Sequence, residues 1–216
     1  TNEQGRILDD VLVYRWDEAY ALVVNASNRE KIVSWIERQT AGEDIGFTDR
    51  TFELAMLALQ GPRAIEMIKP LISVDPGDLK YYTGTRIDLA EEAYVTRTGY
   101  TGEDGCEIIA PPGAVTSLWM KLLEQHETDG LVPCGLGCRD TLRLEAAMPL
   151  YGHELNEQID PLTAGLGFGV KLKAGDFIGK PALEAIKSAG VKRKRVGIEI
   201  DGRRIAREET PLFQDD

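Results

Sequence analysis

Hydrophobic and polar residues alternate along the stretch DDVLVYRWDEAYALVVNAS, residues 9–27. A period of two is typical of β-strands, and the acidic pair at 17–18 indicates a turn, so the stretch predicts a β-hairpin. A loop centred on that pair joins positions whose numbers sum to 35. This register places Asp10 opposite Asn25, on the same face as Tyr14, and so predicts a small polar group of side chains.

The rest of the chain carries short strand and helix patterns in turn. Helical periodicity predicts helices over 28–39, 62–70, 113–126, 136–148 and 180–188. Apolar runs predict strands over 51–59, 85–90, 92–98 and 105–110, a turn at 75–78, and a further strand beginning at KRVGIEI, residues 194–200. Ser27 and Glu30 have the spacing of a helix capping box. Strand–strand–helix units without βαβ alternation predict an α+β fold with mainly antiparallel sheets and flanking helices.

The glycine-rich stretch RTGYTGEDGCEIIAP, residues 97–111, could be taken for a phosphate-binding loop. A phosphate loop usually ends in a lysine and a hydroxyl, whereas acidic residues at 103–104 would repel the anion, and a β-like run follows. We therefore expect the three glycines to adopt positive φ in a tight turn between two strands. The turn would hold Tyr100 and Glu107 on its two sides.

Glu107 and Arg139 are the charged residues whose surroundings are most informative. Glu107 is flanked by apolar residues of a strand, which fits either a structural role, as a salt bridge or a solvent-facing position, or a ligand anchor. Arg139 lies on a predicted helix and needs an acceptor, which is either a structural carboxylate or an anionic or carbonyl-bearing ligand. Together they fit the edge of a pterin or a guanine, with Tyr14 or Tyr100 lining the ring.

Composition excludes several classes of function. The net charge of −11 disfavours nucleic acid and anionic membranes as partners. The basic cluster at 192–195 fits a solvated linker or, alternatively, a docking patch for an acidic protein. Three cysteines, an odd number, favour a reducing compartment, and the spacing of cysteines and histidines predicts no metal site. The apolar runs fall short of the roughly 18 residues of a membrane-spanning helix.

Six blocks in the same order resemble one known family, the aminomethyltransferase or T-protein family of the glycine cleavage system. They are GRILDDVLVYR, LVVNASN, LALQGP, RTGYTGEDGCEI, CRDTLRLEAAMPLYGHEL and DPLTAGLGFGVKL, and they span residues 5–172. The resemblance implies the folate-binding fold of that family, with two α+β domains and a C-terminal β-barrel. It also implies transfer of the methylene of an aminomethyl group on the lipoyl arm of H-protein to tetrahydrofolate, the co-substrate, with release of ammonia.

The resemblance also assigns the site residues. Asp10 falls on the catalytic aspartate of the family, the second of an Asp-Asp pair, which orients the folate and helps its N5 to act as a nucleophile. The residues implied to contact tetrahydrofolate are Tyr14, Asn25, Tyr100, Glu107 and Arg139. One departure is Phe168, where the family usually has tryptophan.

The implied division of the chain has four parts. We expect the remainder of the first α+β domain at 1–45 and a second, ferredoxin-like domain at 46–130. A helical return segment at 131–190 would complete the first domain and the pocket, and a truncated β-barrel would start at 191–216. The chain opens inside sequence that resembles folded protein, so we expect the true N-terminus and nearly all of the barrel to be missing.

Two relatives of the same fold remain as alternatives. One is a folate-dependent demethylase of N-methyl or sulfonium substrates, and the other a non-enzymatic folate-binding accessory protein. The intact GYTGEDG block favours the transferase, and the KGCYxGQE-like block of the accessory proteins is absent. The implied compartment is the bacterial cytoplasm, or the mitochondrial matrix in a eukaryote.

Overall fold

The fold is α+β, as predicted. The computed structural model describes residues 1–16, 19–203, 205 and 210–213. Within these ranges the strands are β1 (Leu12–Arg15), β2 (Tyr20–Val23), β3 (Ala55–Gln60), β4 (Gly84–Arg86), β5 (Tyr94–Thr96) and β6 (Gly105–Ala110). The α-helices are α1 (Arg29–Gln39), α2 (Ala64–Ile68), α3 (Pro112–His126), α4 (Leu136–Glu145) and α5 (Lys180–Ala189). Every pair of adjacent strands is antiparallel.

The first two strands form the predicted hairpin in the predicted register. Leu12 pairs with Val23 and Tyr14 with Ala21, so the numbers of each pair sum to 35. The predicted turn at 17–18 lies outside the described residues. Because a slip of one residue would move Tyr14 to the opposite face, this register decides where the site can form.

The other four strands form one sheet in the order β3-β6-β5-β4, and its two faces differ. On one face, Cys106 and Ile108 of β6 are fully buried and belong to the main hydrophobic core. Leu118 and Leu122, one turn apart on α3, are also buried in this core. Glu107 lies between the two core residues of β6, and the alternation of side chains in a strand turns it to the other face.

The hairpin packs against that second face through stacked aromatic rings. The ring of Trp16 stacks on Tyr94 of β5, with centroids 4.6 Å apart, and on Tyr14 at 5.6 Å. The Tyr14 side chain is buried. Packing of the hairpin on the sheet therefore brings residues near the start of the chain next to β5 and β6, about 80 to 90 positions later.

A smaller core joins the start of the chain to the region after α4. Ile7, Leu155 and Ala164 are buried together, and the backbone N–H of Ile7 donates to the carbonyl of Ile159. Arg6 contacts Asp160, which also accepts hydrogen bonds from the backbone of Thr163 and Leu162. These contacts agree with a return of the 131–190 region to the first residues, although the fourfold domain division stays a prediction.

Several predicted boundaries are wrong. Strands predicted over 85–90 and 92–98 are three residues each, and the helix predicted over 136–148 ends at Glu145. The capping box does not form: residues 26–28 make a 3-10 turn, and Asn28 precedes α1 without a side-chain cap. The strand expected at 194–200 is absent from the described residues, because no neighbouring strand among them supplies the hydrogen bonds that a strand needs.

The three glycines of the turn do not share one role, contrary to the expectation. Of the three, Gly102 alone has a positive φ, +78°. A Cβ atom at Gly99 would overlap the side chain of Gln60, and one at Gly105 would overlap the backbone carbonyl oxygen of Leu59. Close approach of the neighbouring backbone, rather than backbone conformation, therefore requires glycine at 105, whereas at 99 the Gln60 side chain would have to move.

Substitution of Gly105 by alanine should lower the free energy of unfolding by about 1–3 kcal/mol, since the carbonyl of β3 must move to admit the methyl group. Urea denaturation followed by circular dichroism measures this loss. Gly113→Ala is the matched control, because nothing lies within 4 Å of a Cβ there and the residue is helical. The control should be neutral or more stable, and equal destabilisation of both variants would contradict the close-approach argument.

Candidate functional site

Asp9 is the centre of a hydrogen-bonded group between the chain start and the end of the hairpin. Its Oδ1 accepts from Nδ2 of Asn25 at 2.7 Å and from Nδ2 of Asn28 at 2.6 Å. Its Oδ2 accepts from the backbone N–H of Asn25 at 3.1 Å. Nδ2 of Asn25 also donates to the backbone carbonyl of Asp10 at 3.2 Å. Asp10 and Asn25 are therefore neighbours, as the register predicts, but the carboxylate that holds Asn25 is that of Asp9.

Asp10 lines a crevice of about 500 Å³ together with Phe168 and Lys171. Its side chain is open to solvent on one side, yet the surrounding atoms crowd the carboxyl. This desolvation, followed by the negative charge of Asp9, raises the pKa of Asp10 above its ordinary value. A carboxyl with a raised pKa can exchange a proton at a less acidic pH, which suits a group that handles protons.

Tyr100 connects this group to helix α4. The guanidinium carbon of Arg139 lies 4.7 Å from the centroid of the Tyr100 ring, a cation–π contact. The Tyr100 hydroxyl donates to the carbonyl of Pro149. Burial raises the pKa of Tyr100; the charges of Arg143 and Arg139 oppose this, and the charge of Asp10 adds to it. The effect of the Asp10 charge on Tyr100 places both side chains in the same region of the molecule.

Tyr14 and Glu107 meet through a hydroxyl pair on the second face of the sheet. Thr98 donates to Oε2 of Glu107 at 2.5 Å, and the Tyr14 hydroxyl lies 3.3 Å from that of Thr98. Thr96 completes the group, 2.7 Å from Thr98. Glu107 is buried and forms no ion pair among the described residues, so the salt-bridge interpretation of its sequence pattern is wrong.

The predicted residues thus fall into two groups that share two chain segments. Segment 10–14 carries Asp10 into one group and Tyr14 into the other. Segment 98–100 carries Tyr100 into the first group and, through Thr98, holds Glu107 in the second. Two residues of extended chain span at most roughly 7 Å, so the two groups are close along this segment.

A buried ion pair supports the first group from behind. Arg143 is almost fully buried and contacts Glu154 at 2.7 Å and Asp140 at 2.7 Å. Oε2 of Glu154 also accepts from the backbone N–H of Leu150, beside the Pro149 carbonyl that holds Tyr100. Arg139 has no such pair among the described residues and stacks on Tyr100 instead.

A second cavity, of about 230 Å³, lies on the far side of Arg139. It is mainly apolar, with Trp119 and Leu142 in its wall, and the exposed thiols of Cys134 and Cys138 are at its rim. In the part of the chain that is described, no group of three or more histidine, cysteine or carboxylate side chains could hold a metal ion. Cys106, in contrast, is a fully buried core residue, as predicted.

Three contributors to the site were missed by sequence reasoning. Asp9 differs from Asp10 in the sequence only by one position, and alternation alone does not say which of two adjacent carboxylates turns inward. Thr98 lies two residues after Thr96 and shares its face, a weak signal of a polar pair. Glu154 gave no signal, because its pairing with Arg143 depends on the turn that follows α4.

The described residues thus form an α+β protein in which carboxylates, aromatic rings and one cation gather in two neighbouring groups. The chain belongs to the GCVT N-terminal domain family, whose pattern matches residues 1–174. An aminomethyltransferase of Symbiobacterium thermophilum is 48% identical over 221 residues, which cover 97% of this chain and 58% of that protein. One from Desulfitobacterium hafniense is 48% identical over 210 residues, covering 96% and 58%.

A solved structure agrees with these relatives. The crystal structure of glycine cleavage system aminomethyltransferase T from Bartonella henselae matches with a TM-score of 0.79 and 32% identity, over 89% of this chain and 52% of that one. The present chain thus spans a little over half the length of the relatives it matches. No helix among the described residues is long and apolar enough to cross a membrane.

Proposed function

We propose that this chain carries the folate site of a tetrahydrofolate-dependent aminomethyltransferase of the glycine cleavage system. One observation supports this most: the six residues assigned by the family resemblance fall into two adjoining groups, around Asp10 and around Glu107. The groups fit a reduced pterin, since the buried Glu107 carboxylate can accept from adjacent ring N–H and amino donors. Tyr14 and Tyr100 offer aromatic walls.

The proposed reaction moves the methylene of an aminomethyl-lipoyl arm to tetrahydrofolate. The bonds of that carbon to nitrogen and sulfur break, ammonia and the dihydrolipoyl arm leave, and bonds to N5 and N10 form. When bound, tetrahydrofolate supplies the nucleophile, its N5, and gives 5,10-methylenetetrahydrofolate. Asp10 sets the orientation at that atom and stabilises the positive charge that develops beside it. Its raised pKa lets it hold a proton transiently as ammonia leaves. Glu107 and Arg139 bind and orient, and carry no covalent step.

We propose lipoylated H-protein as the macromolecular partner and the bacterial cytoplasm as the compartment. Curated relatives named aminomethyltransferase come from bacteria, which supports the compartment. The three free thiols of the chain fit a reducing environment as well. The exposed basic residues 192–194 provide a positive patch that an acidic protein could contact.

An assay of ammonia release from H-protein-bound aminomethyl groups, with and without tetrahydrofolate, tests the proposal directly. We expect release that depends on tetrahydrofolate and that yields 5,10-methylenetetrahydrofolate in equal amount. Formation of methylated folate from an N-methyl substrate would favour the demethylase instead. Tetrahydrofolate binding without any turnover of either substrate would reduce the proposal to a binding site.

Substitution of Glu107 by glutamine should weaken tetrahydrofolate binding by about 10- to 100-fold. The amide has one acceptor oxygen in place of two and loses the charge, and a hydrogen bond to a charged group contributes about 1.5–3 kcal/mol. Isothermal titration calorimetry measures the change in Kd. Glu103→Gln is the control, because that residue is exposed in the nearby turn. Equal affinity of the Glu107 variant and the parent would remove Glu107 from the site.

A further inference from the structure

The side-chain amide of Asn25 has both of its N–H donors occupied within the protein. One hydrogen goes to Oδ1 of Asp9 at 2.7 Å and the other to the backbone carbonyl of Asp10 at 3.2 Å. An asparagine amide has only two N–H hydrogens, so Asn25 has no donor left for a ligand. Its carbonyl oxygen is the one group that it can offer, as an acceptor.

Asp9 is the residue that imposes this orientation. Its carboxylate accepts from Asn25 Nδ2, from the Asn25 backbone and from the buried Asn28 side chain, and a carboxylate has acceptors only. A flipped Asn25 would turn its carbonyl oxygen towards the carboxylate and leave two negative atoms in contact. The three bonds also clamp the chain at position 9 to the end of the hairpin, and the next residue is Asp10.

We propose that Asp9 is a positioning residue of the folate site, which fixes Asn25 as a hydrogen-bond acceptor and holds Asp10 at the mouth of its crevice. The inference rests on the proposed function and extends it. Asn25 then requires an N–H or amino donor on the ligand at this point. A reduced pterin carries such donors, whereas a ligand with only acceptors along that edge would be rejected.

Asp9 has a second effect through its charge. The groups around the Asp10 carboxyl are Asp9 from the same segment, Tyr100 from the segment after β5, and Lys171 and Phe168 from the turn that lines the crevice. Loss of the Asp9 charge lowers the pKa of Asp10. In a plot of the turnover rate against pH, the decline on the acid side (the acid limb) should then move to lower pH. A purely structural role of Asp9 would not produce this change.

The test compares the parent, Asp9→Asn, and the double variant Asp9→Asn/Asn25→Asp. In Asp9→Asn an amide N–H replaces one carboxylate oxygen, so one of the three donors that Asp9 now accepts from meets another donor. We expect tetrahydrofolate Kd to rise about 10- to 100-fold, because a hydrogen bond to a charged group contributes about 1.5–3 kcal/mol. The double variant reverses the polarity of the pair and keeps an acceptor at position 25, but it loses the hydrogen bond to the Asp10 carbonyl, so it should recover part of the affinity. Calorimetry gives Kd, and pH profiles of ammonia release give the acid limb.

Asp44→Asn, at an exposed position in the connection after α1, is the control for loss of one negative charge. Circular dichroism shows whether each variant is folded. If Asp9→Asn is not folded, the Kd of the double variant is compared directly with that of the parent. If the parent fails to bind tetrahydrofolate, the proposed function fails and takes this inference with it. If the parent binds tetrahydrofolate but Asp9→Asn keeps the parent Kd and the parent pH profile, the inference about Asp9 is wrong and the proposed function stands. The same conclusion follows if the double variant recovers no affinity.

Discussion

Replacement of Asp10 by alanine should lower the rate of ammonia release by at least about 100-fold and leave the Kd for tetrahydrofolate within a few-fold of the parent. A group that handles a proton or developing charge in the transition state contributes about 10²–10⁴-fold to rate. The ring-binding contacts, in contrast, belong to Glu107, Tyr14 and Tyr100. Asp10 therefore acts mainly on turnover, and single-turnover kinetics together with calorimetry separate the two quantities.

The Asp10→Asn variant distinguishes charge from shape. It keeps the size of the side chain but has no ionisable group, so a rate as low as that of Asp10→Ala would assign the effect to the carboxylate. Asp44→Ala is the matched control and should retain the parent rate. Full turnover by Asp10→Ala, or a loss of turnover that follows an equal loss of tetrahydrofolate binding, would contradict the catalytic role.

The pH dependence of turnover provides a related check on Asp10. Desolvation and the charge of Asp9 raise its pKa, so the carboxylate form is lost at a pH above the ordinary aspartate range of about 3.9. Activity that needs the carboxylate should decline as pH falls through this raised pKa. Asp9→Asn should shift the decline downward, whereas Asp10→Asn should remove it.

The parts of the fold that sequence reasoning predicted well are those where one period is repeated without interruption. The hairpin register follows from alternation around a short loop, and Leu12–Val23 and Tyr14–Ala21 pair as that register requires. Strand β6 has the predicted bounds, because its apolar run is limited by a glycine turn and by prolines. Strands β4 and β5 were predicted too long, since propensity does not record where pairing partners end.

The candidate site shows the same division between local and distant information. Asp10 and Asn25 could be grouped from the hairpin alone, since they lie within sixteen positions of each other, whereas Tyr14, predicted to join them, belongs to the other group. That Glu107 would meet Tyr14 through Thr98 could not, because it depends on how the hairpin packs across β5 and β6. The resemblance named these residues, but it did not supply the contacts that hold them.

The buried ion pair behind Tyr100 leads to the largest expected effect on stability. Arg143→Met should lower the free energy of unfolding by about 3 kcal/mol, because Glu154 and the carbonyl of Met148 lose a buried donor while the aliphatic stem is retained. Breaking a buried pair from one side typically reduces stability by 3–5 kcal/mol, and the partial exposure of Glu154 favours the lower end. Urea denaturation gives the value.

The control is Arg63→Met, which breaks pairs with Glu66 and Asp129 at the surface, where the side chains are 37–72% exposed. That loss should stay below about 1 kcal/mol. Burial opposes ionisation of Glu154, but the Leu150 N–H and Arg143 together hold the pKa of Glu154 below its ordinary value. The stability that the pair contributes is therefore present above about pH 4.3 and lost as pH falls through the lower folded pKa. The difference between parent and Arg143→Met should shrink over that range, and a difference independent of pH would show that Arg143 acts through packing rather than through its charge.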